Sequence, residues 1–122
     1  MDEALQKALE KDWYIDITTL GRRSGRPHRV EVMLRYVDGH AYLSNQPGAK
    51  RDWIANLLAD PEFTYHVKQS TRRDLRARVV PVTEPKERER VFRAFLRREG
   101  RLSQLQERLA QSHLFLVEFL ES

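Results

Sequence analysis

Twelve residues, Thr18-Thr19-Leu20-Gly21-Arg22-Arg23-Ser24-Gly25-Arg26-Pro27-His28-Arg29, put two glycines, one proline and four arginines into a single turn. Glycine-rich backbone presents N–H groups, and each guanidinium adds fixed charge and a planar fork of donors, a combination that suits a phosphate or carboxylate. A second stretch repeats the chemistry: Asn45-Gln46-Pro47-Gly48-Ala49-Lys50-Arg51 consists of turn formers and ends in two cations. Asp52 reads as the N-cap of a helix whose free N–H groups and dipole also favour anions. If both loops open at the same end of the fold, Arg22, Arg23, Arg29, Lys50 and Arg51 surround one cleft suited to a phosphate-bearing cofactor. Trp53 and Asn56 lie within the first turns of that helix, and Trp53 could wall a flat ring or simply join the core. Taken alone, the first turn reads equally well as a solvated hairpin.

The elements that must position these residues follow from periodicity. Ala4, Leu5, Ala8 and Leu9 share one face of a helix over 2–11. Trp13 to Leu20 and Val30 to Val37 alternate as strands, and Asp38-Gly39 is a two-residue hairpin signal before a return strand from His40 to Ser44. The next helix carries Trp53, Ile54, Leu57 and Leu58 on its apolar face and stops at Pro61. Phe63, Tyr65 and Val67 mark a fourth strand; Arg76 to Val82 marks a fifth, placed at an edge or bulge by Pro81. Thr83-Glu84-Pro85 starts a helix with Thr83 as capping hydroxyl, Val91, Phe92, Phe95 and Leu96 as its buried face and Gly100 as its end. Leu102, Leu105 and Leu109 suggest a further short helix, and Leu114-Phe115-Leu116-Val117 a strand buried on both faces. So many strands in one 122-residue domain (residues 1–122) are expected to close into an antiparallel barrel with flanking helices, a mainly β, α+β fold.

Composition narrows the classes of function. There is no cysteine, which removes disulfides, thiolate nucleophiles and cysteine-bound metals. His28, His40, His66 and His113 lack metal-ligand spacing, so no metal site is expected. No basic leader or apolar run of about 20 residues is visible, so stable membrane insertion is not expected. The protein is expected in the cytoplasm, with the inner membrane surface as a peripheral alternative. The net charge of +4 suits a small anion, acidic lipid or nucleic acid without choosing among them.

The combination T-T-x-G-R-R-S-G-R-P-H-R, then Tyr42-Leu43-Ser44, then P-G-A-K-R-D-W-x-x-N-L-L-A-D-P resembles the deazaflavin-dependent nitroreductase family. The motifs run in the family's order from about Ile15 to about Val82. The resemblance implies a homodimeric split β-barrel of the FMN-binding-like kind that binds coenzyme F-420, a deazaflavin with a phosphate and an oligoglutamate tail. Carried over, it assigns Arg22, Arg23 and Ser24, with Arg29, to the cofactor's anionic end. It assigns Ser44, Asn45, Lys50, Arg51, Asp52, Trp53 and Asn56 to a second cofactor-contacting segment. The implied reaction is hydride transfer between deazaflavin and a small organic acceptor: a quinone, an enone or a nitroaromatic. The chain departs from the family pattern at His28 and Glu31, where many relatives carry arginine and proline, and in a shorter second loop.

Tyr36, Tyr42, Tyr65 and His66 are possible proton donors, none of which the sequence marks as catalytic. Two rivals remain: an FMN-binding split-barrel flavoprotein using the same arginines, and a non-catalytic binding protein, either a cofactor carrier or a nucleic-acid binder. The latter would use Lys68, Arg72, Arg73, Arg76 and Arg78 as a basic stripe, although a solvated hairpin explains them as well. No nucleic-acid partner is expected. The arginines of 88–98 alternate with glutamates, as on an exposed helix face.

Overall fold

Strand alternation sorts the side chains of this protein to two sides of a closed sheet. The computed structural model describes residues 2–48 and 52–120, and their elements run α1 (Glu3–Lys11), β1 (Tyr14–Leu20), β2 (Pro27–Val37), β3 (His40–Ser44), α2 (Asp52–Ala59), β4 (Glu62–Val67), β5 (Arg73–Pro81), α3 (Pro85–Arg98), a 3-10 turn (Leu102–Gln104), α4 (Leu105–Gln111) and β6 (Leu114–Phe119). The strands close in the order β1-β2-β3-β6-β5-β4, every pair antiparallel, with β1 also pairing β4. Closure leaves no open edge for the backbone to expose. Pro81 therefore sits at no edge: it is the last residue of β5, opposite Phe115, where a missing N–H costs little.

Ile15 and Ile17 of β1, Val32 and Leu34 of β2, Phe63, Tyr65 and Val67 of β4, Ala77 and Val79 of β5 and Phe115 and Val117 of β6 fill the interior. Leu5, Ala8 and Leu9 of α1 pack into the same core, while Ala4 points to solvent. Asp2 caps α1 by accepting from the Leu5 N–H at 2.8 Å, and its carboxylate also meets Arg73 at the start of β5. From α2, Ile54 and Leu57 enter the core at the opposite mouth, where β1, β3 and β5 end and β2, β4 and β6 begin. Leu58 does not join them: it is 55% exposed. Asp52 opens α2 as a first-turn residue.

A second apolar layer lies outside the barrel. Val91, Phe92, Phe95 and Leu96 of α3 and Leu105 of α4 pack on Val37, Tyr42 and Leu114. That makes β6 a strand with core on both sides, as its unbroken apolar run predicts. The cap of α3 is Glu84, not Thr83: its carboxylate accepts from the N–H groups of Lys86 and Glu87, and Pro85 takes the first helical position. A carboxylate there also complements the helix dipole.

Two features of this layer were invisible in the sequence. Arg35 and Glu99 form a two-pronged ion pair at 3.1 and 3.2 Å, with side chains 4% and 7% exposed. Arg108 is 1% exposed, packed beside the Phe92 and Phe95 rings. Burial pushes its guanidinium down to about 10, with the nearby Arg35 charge acting in the same direction, so it still carries its proton at neutral pH. The α3 arginines are not all on a solvated face either. Arg88 is half-buried and donates to the carbonyls of Val82, Leu109 and Ser112, tying α3 to the end of α4.

Candidate cofactor site

The turn between β1 and β2 spans residues 21–26 and projects beside α2. Gly25, at φ 70°, takes the left-handed conformation that turns the chain. Gly21 matters for space: a Cβ there would lie 2.7 Å from Ser24 Oγ and 2.8 Å from His28 Nε2. The turn spends much of its backbone on itself. Gly21 N–H donates to Arg26 O, Gly25 N–H to Gly21 O, and Arg26 N–H to Ser24 Oγ. The sequence suggested a cradle of free N–H groups; among the described residues, only those of Arg23 and Ser24 lack an internal partner in this turn. An anion here would be held mainly by side chains.

Asn56 of α2 organises the site. Its Oδ1 accepts from both the backbone N–H and Nη1 of Arg22, each at 3.1 Å, and its Nδ2 donates to Thr19 Oγ1 at 3.1 Å. Asn56 is 4% exposed and Thr19 1%, so this chain of hydrogen bonds is shielded from water and pins the turn to the helix. Arg22 also lies 3.8 Å from Asp52, a mostly exposed pair that steers more than it stabilises. Arg29 reaches back to Asp16 at 3.0 Å. Lys68 and Arg29 together hold the Asp16 carboxyl below its usual range, the Lys68 hydrogen bond contributing most. Arg23 has no carboxylate partner among the described residues.

The result is a cleft of about 370 Å³ bounded by Thr19, Gly21, Arg22, Arg23, Ser24, His28, Arg29, Val30, Asp52, Trp53 and Asn56. It brings together seven residues that the sequence singled out: Arg22, Arg23, Ser24, Arg29, Asp52, Trp53 and Asn56. Lys50 and Arg51 lie outside the described residues. Ser44 and Asn45 end β3 at the same mouth but do not border this cleft; both are buried against the α4–β6 junction. Sequence reasoning passed over Thr19, Val30 and His28 as contributors. Thr19 and Val30 could have been found from the strand register, since both continue the inward-facing sets that start at Ile15 and Val32.

None of the possible proton donors borders the cleft. Tyr65 is fully buried in the barrel, where burial and the Asp12 charge push its hydroxyl up; burial likewise raises Tyr42. The Tyr36 hydroxyl accepts from Gln6 near α1. His66 sits on the outer sheet face between Thr18 Oγ1 at 2.6 Å and Asp74 Oδ1 at 2.7 Å. Four of the five cations of the basic stripe are neutralised in place: Lys68 meets Asp16 and Glu31, Arg73 meets Asp2, Arg76 meets Glu62 and Arg78 meets Glu118, while Arg72 has no carboxylate partner among the described residues. Counterions supplied by the protein itself leave little charge for a phosphate backbone to displace. No group of His, Asp or Glu among the described residues is placed to hold a metal.

The site fits the anionic end of a deazaflavin cofactor on its own geometry. It offers Arg22 already oriented by two hydrogen bonds, Arg23 uncommitted, Arg29 and His28 close by, and a turn kept open by Gly21, where a methyl group would intrude. Gly21→Ala is expected to push Ser24 and His28 aside and to weaken cofactor binding about tenfold or more. Thermal stability should stay within about 1 kcal/mol of wild type, because the collision is with movable side-chain ends on an exposed turn. A cofactor titration and a thermal melt on the same preparation check both halves.

Six antiparallel strands closed on an apolar core, with helices at the mouths and a basic cleft beside one of them, define a split β-barrel of the FMN-binding-like class. Residues 4–110 match the family model described as F420H(2)-dependent quinone reductase, and the chain belongs to that family. It is thus an oxidoreductase that uses coenzyme F-420. Solved structures share the fold at low identity. A conserved hypothetical protein from Mycobacterium tuberculosis has a TM-score of 0.77 and 19% identity, covering 99% of this chain and 82% of that one. A FAD-binding protein from Mesorhizobium loti gives 0.69 and 15% identity, covering 99% and 91%. An F420-H2 dependent reductase gives 0.62 and 21% identity, covering 88% and 95%. A search of curated proteins finds no match to this chain.

Proposed function

We propose that this protein reduces a quinone, taking hydride from reduced F-420 whose phosphate and glutamate tail are gripped in the cleft between the β1–β2 turn and α2. The observation that carries this is the cluster of Arg22, Arg23, Arg29 and His28 around Gly21, with Trp53 as the apolar wall on the α2 side. The description of the family supports a quinone as the acceptor, and the F420-H2 dependent reductase of the same fold agrees with the cofactor.

When bound, F-420 supplies the hydride from its ring carbon. Arg22 and Arg23 neutralise the phosphate and tail. Arg22 loses little freedom on binding because Asn56 already holds it. A cleft of about 370 Å³ is at the small end for organic ligands, so it would hold one part of the cofactor, with Trp53 as the apolar wall on which a ring could rest. Trp53 is in turn oriented by Phe115, their ring centres 6.3 Å apart. A homodimer accords with the resemblance and with Trp13, Tyr14 and Leu20, large apolar side chains left exposed on β1 and just before it.

The test is anaerobic oxidation of reduced F-420 by purified protein, offered quinone, enone and nitroaromatic acceptors in parallel. Fastest turnover with a quinone is expected. Turnover of nitroaromatics or enones with none for quinones contradicts the acceptor, and oxidation of reduced FMN in place of F-420 contradicts the cofactor role.

A further inference from the structure

Of the four histidines in this chain, only His28 borders the cofactor cleft. The others are placed elsewhere: His40 starts β3 at the opposite mouth, His66 is held on the outer sheet face between Thr18 and Asp74, and His113 follows α4 beside Phe115. Strand alternation accounts for where His28 points. Val32 and Val30 of β2 lie opposite Ile15 and Ile17 of β1 and face the interior. His28, two residues nearer the mouth and opposite the buried Thr19, faces the same way. Arg29, one residue along, faces out and spends its charge on Asp16.

The His28 imidazole lies against the backbone of Gly21. A Cβ at that glycine would be 2.8 Å from His28 Nε2 and 2.7 Å from Ser24 Oγ, so the two polar atoms converge on one point just off the turn. Ser24 Oγ accepts the Arg26 N–H at 3.2 Å, which leaves its own proton to donate. The other charged groups bordering the cleft are Arg22 and Arg23 from the turn, Arg29 from β2 and Asp52 from α2. Arg22 and Arg29 already face the carboxylates of Asp52 and Asp16, while Arg23 has none among the described residues. On such a lining an imidazole is the only kind of group that ordinarily gains or loses a proton between about pH 5 and 8.

Resting on the F-420 reading above, we propose that His28 makes cofactor binding proton-linked: in its charged form it donates, together with the Ser24 hydroxyl, to the anionic end of F-420, and in its neutral form that charge assistance is lost. Its role is to set how tightly the cofactor is held, and it takes no part in hydride transfer. A bound anion favours the imidazolium, so binding takes up a proton. Affinity is therefore full at low pH and falls as the pH rises through the histidine range. An arginine at this position would hold the same anion at every pH. A histidine lets the grip tighten in acid and slacken in alkali.

The experiment is a calorimetric titration of F-420 into full-length wild type, His28→Gln and His28→Arg between about pH 5.5 and about pH 8.5, at fixed ionic strength. The deciding quantity is the affinity of wild type divided by that of His28→Gln at each pH, in which any titration of the ligand itself cancels. It should be about tenfold at the acid end and less than about twofold at the alkaline end. The same ratio for His28→Arg should stay near about tenfold throughout. His40→Gln, at the opposite mouth, should reproduce the wild-type profile. His28 is exposed, so its variants should melt close to wild type. Repeating the wild-type titration at neutral pH in buffers of different ionisation enthalpy should show net proton uptake that His28→Gln lacks. A ratio that does not change with pH, or proton uptake that is the same in His28→Gln, overturns the proposal. Failure of wild-type protein to bind F-420 at any pH overturns the cofactor reading instead, so the two failures are distinct.

Discussion

Glu99→Gln is expected to destabilise the protein by about 3–5 kcal/mol, lowering its melting temperature by roughly 10–20 °C. The side chain keeps its shape, but the Arg35 guanidinium loses its counterion while remaining 4% exposed, with its charge 5.0 Å from the Phe95 ring centre. The ring face offsets only part of that loss. Arg108 adds to the strain on the site, since the two guanidinium charges repel. Replacing both partners, Arg35→Leu with Glu99→Leu, should recover most of the lost stability, because the large cost comes from stranding one charge and not from lacking the pair. Equilibrium denaturation of the two single variants and the double variant measures the coupling. Equal stability of wild type and Glu99→Gln would show that water reaches the pair in solution.

Arg22→Ala combined with Arg23→Ala is expected to lower F-420 affinity about 100-fold, at close to wild-type stability. Each charge-assisted contact to a phosphate or carboxylate is worth about 1.5 kcal/mol, and two such losses approach 3 kcal/mol. The two should not contribute in the same way. The Arg22 side chain is tied to Asn56 and Asp52, so removing it takes one of the two donors from Asn56 Oδ1, while the backbone N–H of residue 22 keeps the other. Any loss of stability in Arg22→Ala alone should therefore be small. Arg23 has no such ties, and its loss should act on binding only. Raising the salt should shrink the difference between wild type and the double variant, since an exposed basic cleft is screened.

The strands, their succession along the chain and the two mouth helices could be read from the sequence because alternation and turn residues report local geometry. Val32 and Leu34 repeat every second residue, and Asp38-Gly39 marks a hairpin in which both residues indeed take positive φ. Half of the cleft was equally legible, because Gly21 to Arg29 and Trp53 to Asn56 carry their chemistry in short contiguous runs. The rest depends on contacts that spacing does not encode. Arg35 is separated from Glu99 by 64 positions, and Arg108 from Ser44 by the same number. On α3 and α4 the buried charges share the composition of solvated helix faces, so nothing local distinguishes Arg108 from Arg101 or Glu99 from Glu89. Ser44 and Asn45 were grouped with the cofactor because they adjoin its second segment in sequence; at the end of β3 they turn instead to the start of β6, which antiparallel pairing brings opposite. Leu58 was placed in the core by helical periodicity, yet the core under α2 is already filled by Ile54 and Leu57, and Leu58 faces a separate cleft bordered also by Leu109 and Leu114.

The central claim is that the β1–β2 turn grips the charged end of F-420 and leaves the ring to the Trp53 side. The direct measurement is a paired titration of wild-type protein with F-420 and with the same deazaflavin lacking phosphate and glutamates, at fixed low salt. The expected result is saturable F-420 binding at least about 100-fold tighter than that of the tailless ring, with the gap nearly closed in the Arg22→Ala, Arg23→Ala variant. Equal affinity of the wild-type protein for both ligands would contradict it.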